Sequence, residues 1–163
     1  MSVGQDSALD FHTLLVDLLG RLRIYDEWEH YLTSDVTAND SDKSFTVTAD
    51  YEWILQSIFV DITTTATVGN RQITVEIQDD SANVIAIIKA GTVQAASLQR
   101  YYTFAPQLPD LTGFRDTSFL ETPLPELILD EAYVVRVYDS AAVDAAADDM
   151  DVFITVKRRA KEA

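Results

Sequence analysis

Carboxylates are the most abundant reactive groups in this chain, with 27 Asp and Glu against 12 Lys and Arg and a formal net charge of −15. They are densest at Asp139, Asp144, Asp148, Asp149 and Asp151. A hard cation such as calcium takes several carboxylate and carbonyl oxygens from one flexible loop. This stretch lacks the alternating Asp/Asn spacing and central glycine of an EF-hand. It therefore reads as a solvated loop, with a short helical turn through its alanines. Carboxylate pairs about 5–9.5 Å apart also run glycoside hydrolysis, but among so many acids the sequence nominates no pair. His12 and His30 lie in no catalytic motif such as H-E-x-x-H. There is no cysteine, which removes thiolate nucleophiles, disulfides and zinc–sulfur sites together. No G-x-S-x-G elbow is present, and glycines 4, 20, 69, 91 and 113 form no phosphate-binding loop. The expectation is a protein that is not an enzyme, with no catalytic residue, metal ligand or cofactor.

The aromatics offer binding rather than catalysis. Tyr51, Trp53, Tyr101 and Tyr102 can line a groove for carbohydrate, although aromatics near strand ends more often close a sandwich core. Four of the cations, Lys157, Arg158, Arg159 and Lys161, fall in the last seven positions. Residues 1–156 then hold 8 basic and 26 acidic side chains, a net of −18. Such a surface repels phosphate backbones, so nucleic-acid binding is not expected. The basic tail suits an acidic partner surface or simply extends the last strand.

The elements that would position these groups change character along the chain. Phe11, Leu14, Leu15, Leu18, Leu19 and Leu22 recur at helical spacing, predicting an amphipathic helix over about 8–25. Ser7 and Asp10 resemble a capping box, and Gly20 interrupts the pattern. The stretch IYDEWEHYLTSD reads either as a second short helix or as an extended arm. SDVTANDSDKS, from Ser34 to Ser44, has no periodicity and reads as a linker. From Phe45 the period becomes two, and strands are expected near 45–49, 53–66, 71–78, 83–89, 98–104, 117–122, 132–138 and 151–158. Ile73, Val75 and Ile77 alternating with Thr74, Glu76 and Gln78 make the clearest case. Gly69-Asn70 and the Asp79–Asn83 stretch supply turns too short for helical crossovers.

These observations predict a mainly β fold: an eight-stranded antiparallel β-sandwich of jelly-roll type with an N-terminal amphipathic helical arm. The divisions expected are an arm over 1–33, a linker over 34–44 and a sandwich over 45–163. The start of the chain shows no basic-then-apolar leader, and no apolar run reaches the roughly 20 residues that span a bilayer. No membrane contact is expected.

Three segments together, TTTATVGNRQITVEI (63–77), FRDTSFLETPLPELIL (114–129) and VVRVYDSAAVDAAADDMDV (134–152), resemble a family of small virion structural proteins of tailed bacteriophages. The resemblance covers about two thirds of the chain. It implies a capsid decoration (cement) protein or a head–tail component that is made in the host cytoplasm and resides in the virion. It also implies partners among the major capsid protein or other virion subunits, and a homo-oligomer, with a trimer favoured. The interface expected from the apolar stripe comprises Phe11, Leu14, Leu15, Leu18, Leu22 and Trp28. The alternatives are a connector or tail component and a carbohydrate- or receptor-binding module.

Overall fold

The computed structural model describes residues 28–141 and 143–161, together with the backbone of Leu15–Val16 and Leu22–Arg23. The chain is mainly β. Strands β1 (Leu15–Val16) and β2 (Leu22–Arg23) pair with each other. The others are β3 (Glu29–Asp35), β4 (Lys43–Thr46), β5 (Tyr51–Thr63), β6 (Ile73–Gln78), β7 (Val84–Lys89), β8 (Gln99–Ala105), β9 (Phe119–Pro123), β10 (Ile128–Leu129), β11 (Val134–Asp139) and β12 (Asp149–Ala160).

Two sheets enclose the core. One is six-stranded, in the order β3-β12-β5-β8-β9 with β10 also on β5, and the other is four-stranded, β4-β11-β6-β7. Alternation explains how they meet. Ile58, Val60 and Ile62 of β5 and Val152, Ile154 and Val156 of β12 face Ile73, Val75, Ile77, Val135 and Val137 of the smaller sheet, all fully buried. Burying such side chains stabilises by roughly 1.5–3 kcal/mol each. The long β5–β12 pair spans Tyr51 to Thr63, and its register shifts once, between Thr155 and Val156.

Eight strands lie where the alternation placed them, but the predicted architecture needs three corrections. First, β3 and β10 add to the eight, so the described residues form a six-plus-four sandwich. The ambiguous IYDEWEHYLTSD stretch is extended at its described end, where Glu29–Asp35 pairs along β12. The boundary drawn at 33/34 thus falls inside a strand, and β4 begins within the segment read as a linker. Second, β8 and β9 run parallel, whereas an all-antiparallel jelly roll was expected. Residues 106–118 form a loop long enough to return the chain in the same direction without a helix. Third, the described positions of the expected 8–25 helix are strand: Leu15 pairs with Arg23 and Val16 with Leu22. Gly20, costly in a helix interior, falls between them in sequence. The rest of that segment lies outside the described residues.

Candidate functional site

The sheets diverge where their edge strands β3 and β4 face each other. There they leave a groove of about 560 Å³, lined among the described residues by β3, the 36–37 turn, β4, Thr48 and Trp53. Its making is legible residue by residue. On β3 the outward side carries Leu32, 62% exposed, while Tyr31, Thr33 and Asp35 turn inward. An inward row bearing hydroxyls and a carboxylate cannot be packed dry without cost, so the space before it stays open. The opposite wall presents Ser44 and Thr46. The floor is Trp53, only 2% exposed, with the Tyr31 ring 5.9 Å away at 44°. Arg158 holds Tyr31 from its other side, its guanidinium 4.0 Å from the ring centre and its Nε 2.6 Å from Glu29.

Trp53 is held on both sides by its pairs with Leu129 of β10 and Arg158 of β12. Yet its indole Nε1 is buried and has no acceptor among the described residues. A buried donor left unsatisfied costs about 1–3 kcal/mol, unless something else supplies the acceptor. Asp35 provides the complementary group. Its Oδ1 accepts the Thr37 amide at 2.9 Å and lies 3.5 Å from the buried Lys43 ammonium. The Thr37 backbone bond, first of several causes, lowers its pKa and keeps it an ionised acceptor.

The other aromatic cluster lies on the outward face of the six-stranded sheet. Phe153, Phe59, Tyr101 and Phe119 follow one another across β12, β5, β8 and β9. Tyr101 stacks on Phe119 at 4.8 Å and on Phe59 at 6.0 Å, and Phe59 tilts against Phe153 at 6.2 Å. Rings that close with small interplanar angles cover one another's faces. This ladder is therefore packed on itself and presents mostly edges.

The four aromatics singled out from sequence are thus dispersed. Trp53 floors the groove and Tyr101 belongs to the outer ladder. Tyr102 is buried and donates its hydroxyl to Gln94 Oε1 at 3.1 Å. Tyr51 lies under Arg158 at 4.8 Å. Tyr31 is the groove aromatic that sequence reasoning set aside with the arm. Of the expected interface, Phe11, Leu14 and Leu18 lie outside the described residues. Leu15 and Leu22 belong to the β1–β2 pair, and Trp28 stacks under Arg159 of its own chain at 4.6 Å. His30 is exposed on β3, and His12 lies outside the described residues.

The acidic loop is built into the protein. Asp148 takes Arg71 Nε at 2.7 Å and Nη2 at 3.2 Å, both side chains fully buried, and also accepts the Thr65 amide at 2.6 Å. Asp144 accepts the Thr65 and Thr67 hydroxyls. Asp139 accepts the Gln72 and Ala141 amides. No three carboxylates or imidazoles among the described residues converge to hold a metal ion. Asp40 is packed against this loop, and burial, with the charges of Asp148 and Asp139, pushes its pKa up to about 6.

No family model and no curated protein matches the chain. Among solved structures it is similar to "PfGH50B" (13% identity, TM-score 0.31, 83% of this chain and 23% of that one). It is similar too to an agarase, AgWH50C (8%, TM-score 0.30, 86% and 23%). A third similarity is to a family 11 carbohydrate-binding module from Clostridium thermocellum in complex with a β-1,3-1,4-mixed-linked tetrasaccharide (12%, TM-score 0.23, 84% and 91%). The chain spans about a quarter of the length of the first two. At these scores the likenesses carry no weight for fold or function.

Proposed function

We propose that the chain is a carbohydrate-binding module whose ligand, a neutral saccharide, occupies the groove between β3 and β4. The observation that carries this reading is the tilted Tyr31–Trp53 aromatic pair in an open groove of about 560 Å³ whose lining adds the Asp35 carboxylate and the Ser and Thr hydroxyls. A sugar ring answers each feature of that lining. Its hydroxyl protons go to Asp35 and the Ser and Thr oxygens, and its C–H groups meet the edge of Tyr31. Pockets of about 300–1,000 Å³ with a few convergent polar groups are the usual size for small-ligand sites. The net charge of −15 disfavours sulfated or uronic-acid chains, so the saccharide is uncharged.

The assembly reading has less to stand on. Capsid decoration was carried by the arm and by a resemblance of pattern, and three of its six interface residues lie outside the described region. Titration with a panel of neutral β-glucan, galactan, mannan and chitin-type oligosaccharides, followed by tryptophan fluorescence and calorimetry, tests the proposal. One class binds with a change in emission, and Trp53→Phe weakens it. Silence across the whole panel rejects the proposal.

A further inference from the structure

The four-stranded sheet ends in an apolar edge, strand β7. Edge strands usually carry charges, proline or polar side chains that discourage pairing with another chain. Strand β9 ends in Pro123, and β4 turns Ser44 and Thr46 outward. Strand β7 reads Val-Ile-Ala-Ile-Ile-Lys, with Val84 and Ile85 each 48% exposed and Ile87 55% exposed. Its only described neighbour is β6. The backbone direction is set as well. Ala90 N donates to Ile73 O at 2.9 Å, so the alternation of an antiparallel ladder turns the Ile87 and Lys89 amides away from β6, toward the free edge.

We infer that β7 pairs antiparallel with β7 of a second copy of this chain, joining two four-stranded sheets into one. Side-chain facing limits the register to those centred on a residue. Ala86 and Ile88 point to the core side, opposite Ile77 and Val75, and Ile87 and Lys89 point outward, opposite Glu76 and Thr74. A twofold axis must pair residues of like facing. Ile87 across from Ile87 does so: it sets Ala86 against Ile88 and Lys89 against Ile85. Charge then favours a second copy over an unrelated strand. The turn before β7 carries Asp79 and Asp80, and the strand ends in Lys89. Lys89 has no ion-pair partner among the described residues of a strongly acidic chain. Antiparallel pairing sets each Lys89 opposite Ile85, at the end of the strand that leads into the other copy's acidic Asp79–Asn83 turn, whereas parallel pairing would set like charges side by side.

Sedimentation of the full chain over a concentration series at about 0.15 M salt tests this. The wild type is expected to reach twice the 18.2 kDa chain mass. Ile87→Lys, on a side chain that is largely exposed, is expected to leave the circular dichroism unchanged and weaken association at least tenfold. Lys89→Glu is expected to weaken it several-fold, and adding Asp80→Lys to Lys89→Glu to restore it. Hydrogen exchange is expected to show the Ile87 and Lys89 amides protected in the dimer and open in Ile87→Lys. A monomer at every concentration overturns the inference, as does a trimer or a dimer indifferent to Ile87→Lys. Failure of the charge swap to restore association overturns the antiparallel register. Protected Ile87 and Lys89 amides in a monomer would mean that the chain's own residues cover the edge, which also overturns it. None of these outcomes depends on saccharide binding.

Discussion

Two polar regions interrupt the apolar interior of this sandwich, and they treat buried donors and acceptors in opposite ways. Around Arg71 each of the three guanidinium nitrogens has found an acceptor within the chain. Its Nε and Nη2 go to Asp148, and its Nη1 to the carbonyls of Thr67 and Gly69 at 2.9 Å. Nearby, Gln94 Nε2 bridges the Ile62 and Leu98 carbonyls, and Gln94 Oε1 accepts from Tyr102. A network satisfied in this way fixes the loops that it ties and leaves nothing for a ligand. The β3–β4 groove instead leaves polar groups facing open volume: the ionised Asp35 carboxylate and the Ser44, Thr46 and Thr48 hydroxyls line it. Buried polar groups are nearly always paired in folded proteins. The open groove with its polar lining therefore points to binding, while the Arg71 network points to architecture.

The largest expected effect falls on the completed region. Arg71→Met removes a buried guanidinium and leaves the Asp148 carboxylate buried without its cation. Breaking such a pair costs about 3–5 kcal/mol, and for a chain of this size that lowers the unfolding midpoint by about 10 °C. Saccharide affinity measured well below that midpoint should not change. A variant that melts normally would mean that the network is not what holds this end together.

Asp40 sharpens the comparison, because both of its oxygens are buried without a described partner, yet it faces carboxylates rather than open space. Repulsion and burial raise its pKa from 3.8 to about 6. The folded state therefore keeps a proton that the unfolded state gives up. Wild-type stability falls as pH rises from about 4 through 6, and the loss is complete above that. Asp40→Asn mimics the protonated side chain. It should stabilise the protein at pH 8, by on the order of 1–3 kcal/mol, and the gain should vanish near pH 4. Parallel melting curves of the two proteins at pH 4, 6 and 8 check the sign, and a constant difference would exclude this origin.

Most strands could be read from the chain because each buries one face, and the alternation of Ile73, Val75 and Ile77 or Val152, Ile154 and Val156 records that burial directly. Strand β3 is ambiguous in the sequence because of what it lines. Its inward face, Tyr31, Thr33 and Asp35, lines a groove, so the apolar period that marks a buried strand is missing. The parallel β8–β9 pair depends on where a loop returns, and local spacing is blind to that. Of the site, Trp53 was singled out, but its companions Tyr51, Tyr101 and Tyr102 were grouped with it by residue type alone. Facing separates them: consecutive Tyr101 and Tyr102 must point to opposite sides of one sheet. The leucine spacing before Gly20 suits a helix, whereas the four described positions flanking it, Leu15, Val16, Leu22 and Arg23, pair as strand.

Effects at the groove are smaller and concern binding. Trp53→Phe keeps most of the ring and removes the unpaired donor. It should weaken the saccharide several-fold by loosening the Tyr31 ring packed against it, while the fold persists. With two tryptophans in the chain, the variant also assigns the emission change: loss of the signal places the ligand at Trp53, and its survival moves the ligand toward Trp28.

Asp35→Asn should have the smallest effect, a few-fold loss, because an amide oxygen still accepts a hydroxyl proton, only less strongly than a carboxylate. Its pH dependence is the sharper measure. The Thr37 amide bond, followed by its hydroxyl and by Lys43, holds Asp35 below the ordinary value of 3.8. The acceptor is thus already ionised above that value, and wild-type affinity should be flat from pH 8 to pH 5, failing only as pH drops through the lowered pKa of the folded state. Asp40 titrates within the flat range, beside the completed network. A wild-type affinity that follows the Asp40 transition near pH 6 would therefore mean that the two regions are coupled. A flat profile, with stability alone moving near pH 6, would show the groove and the network acting independently within one core.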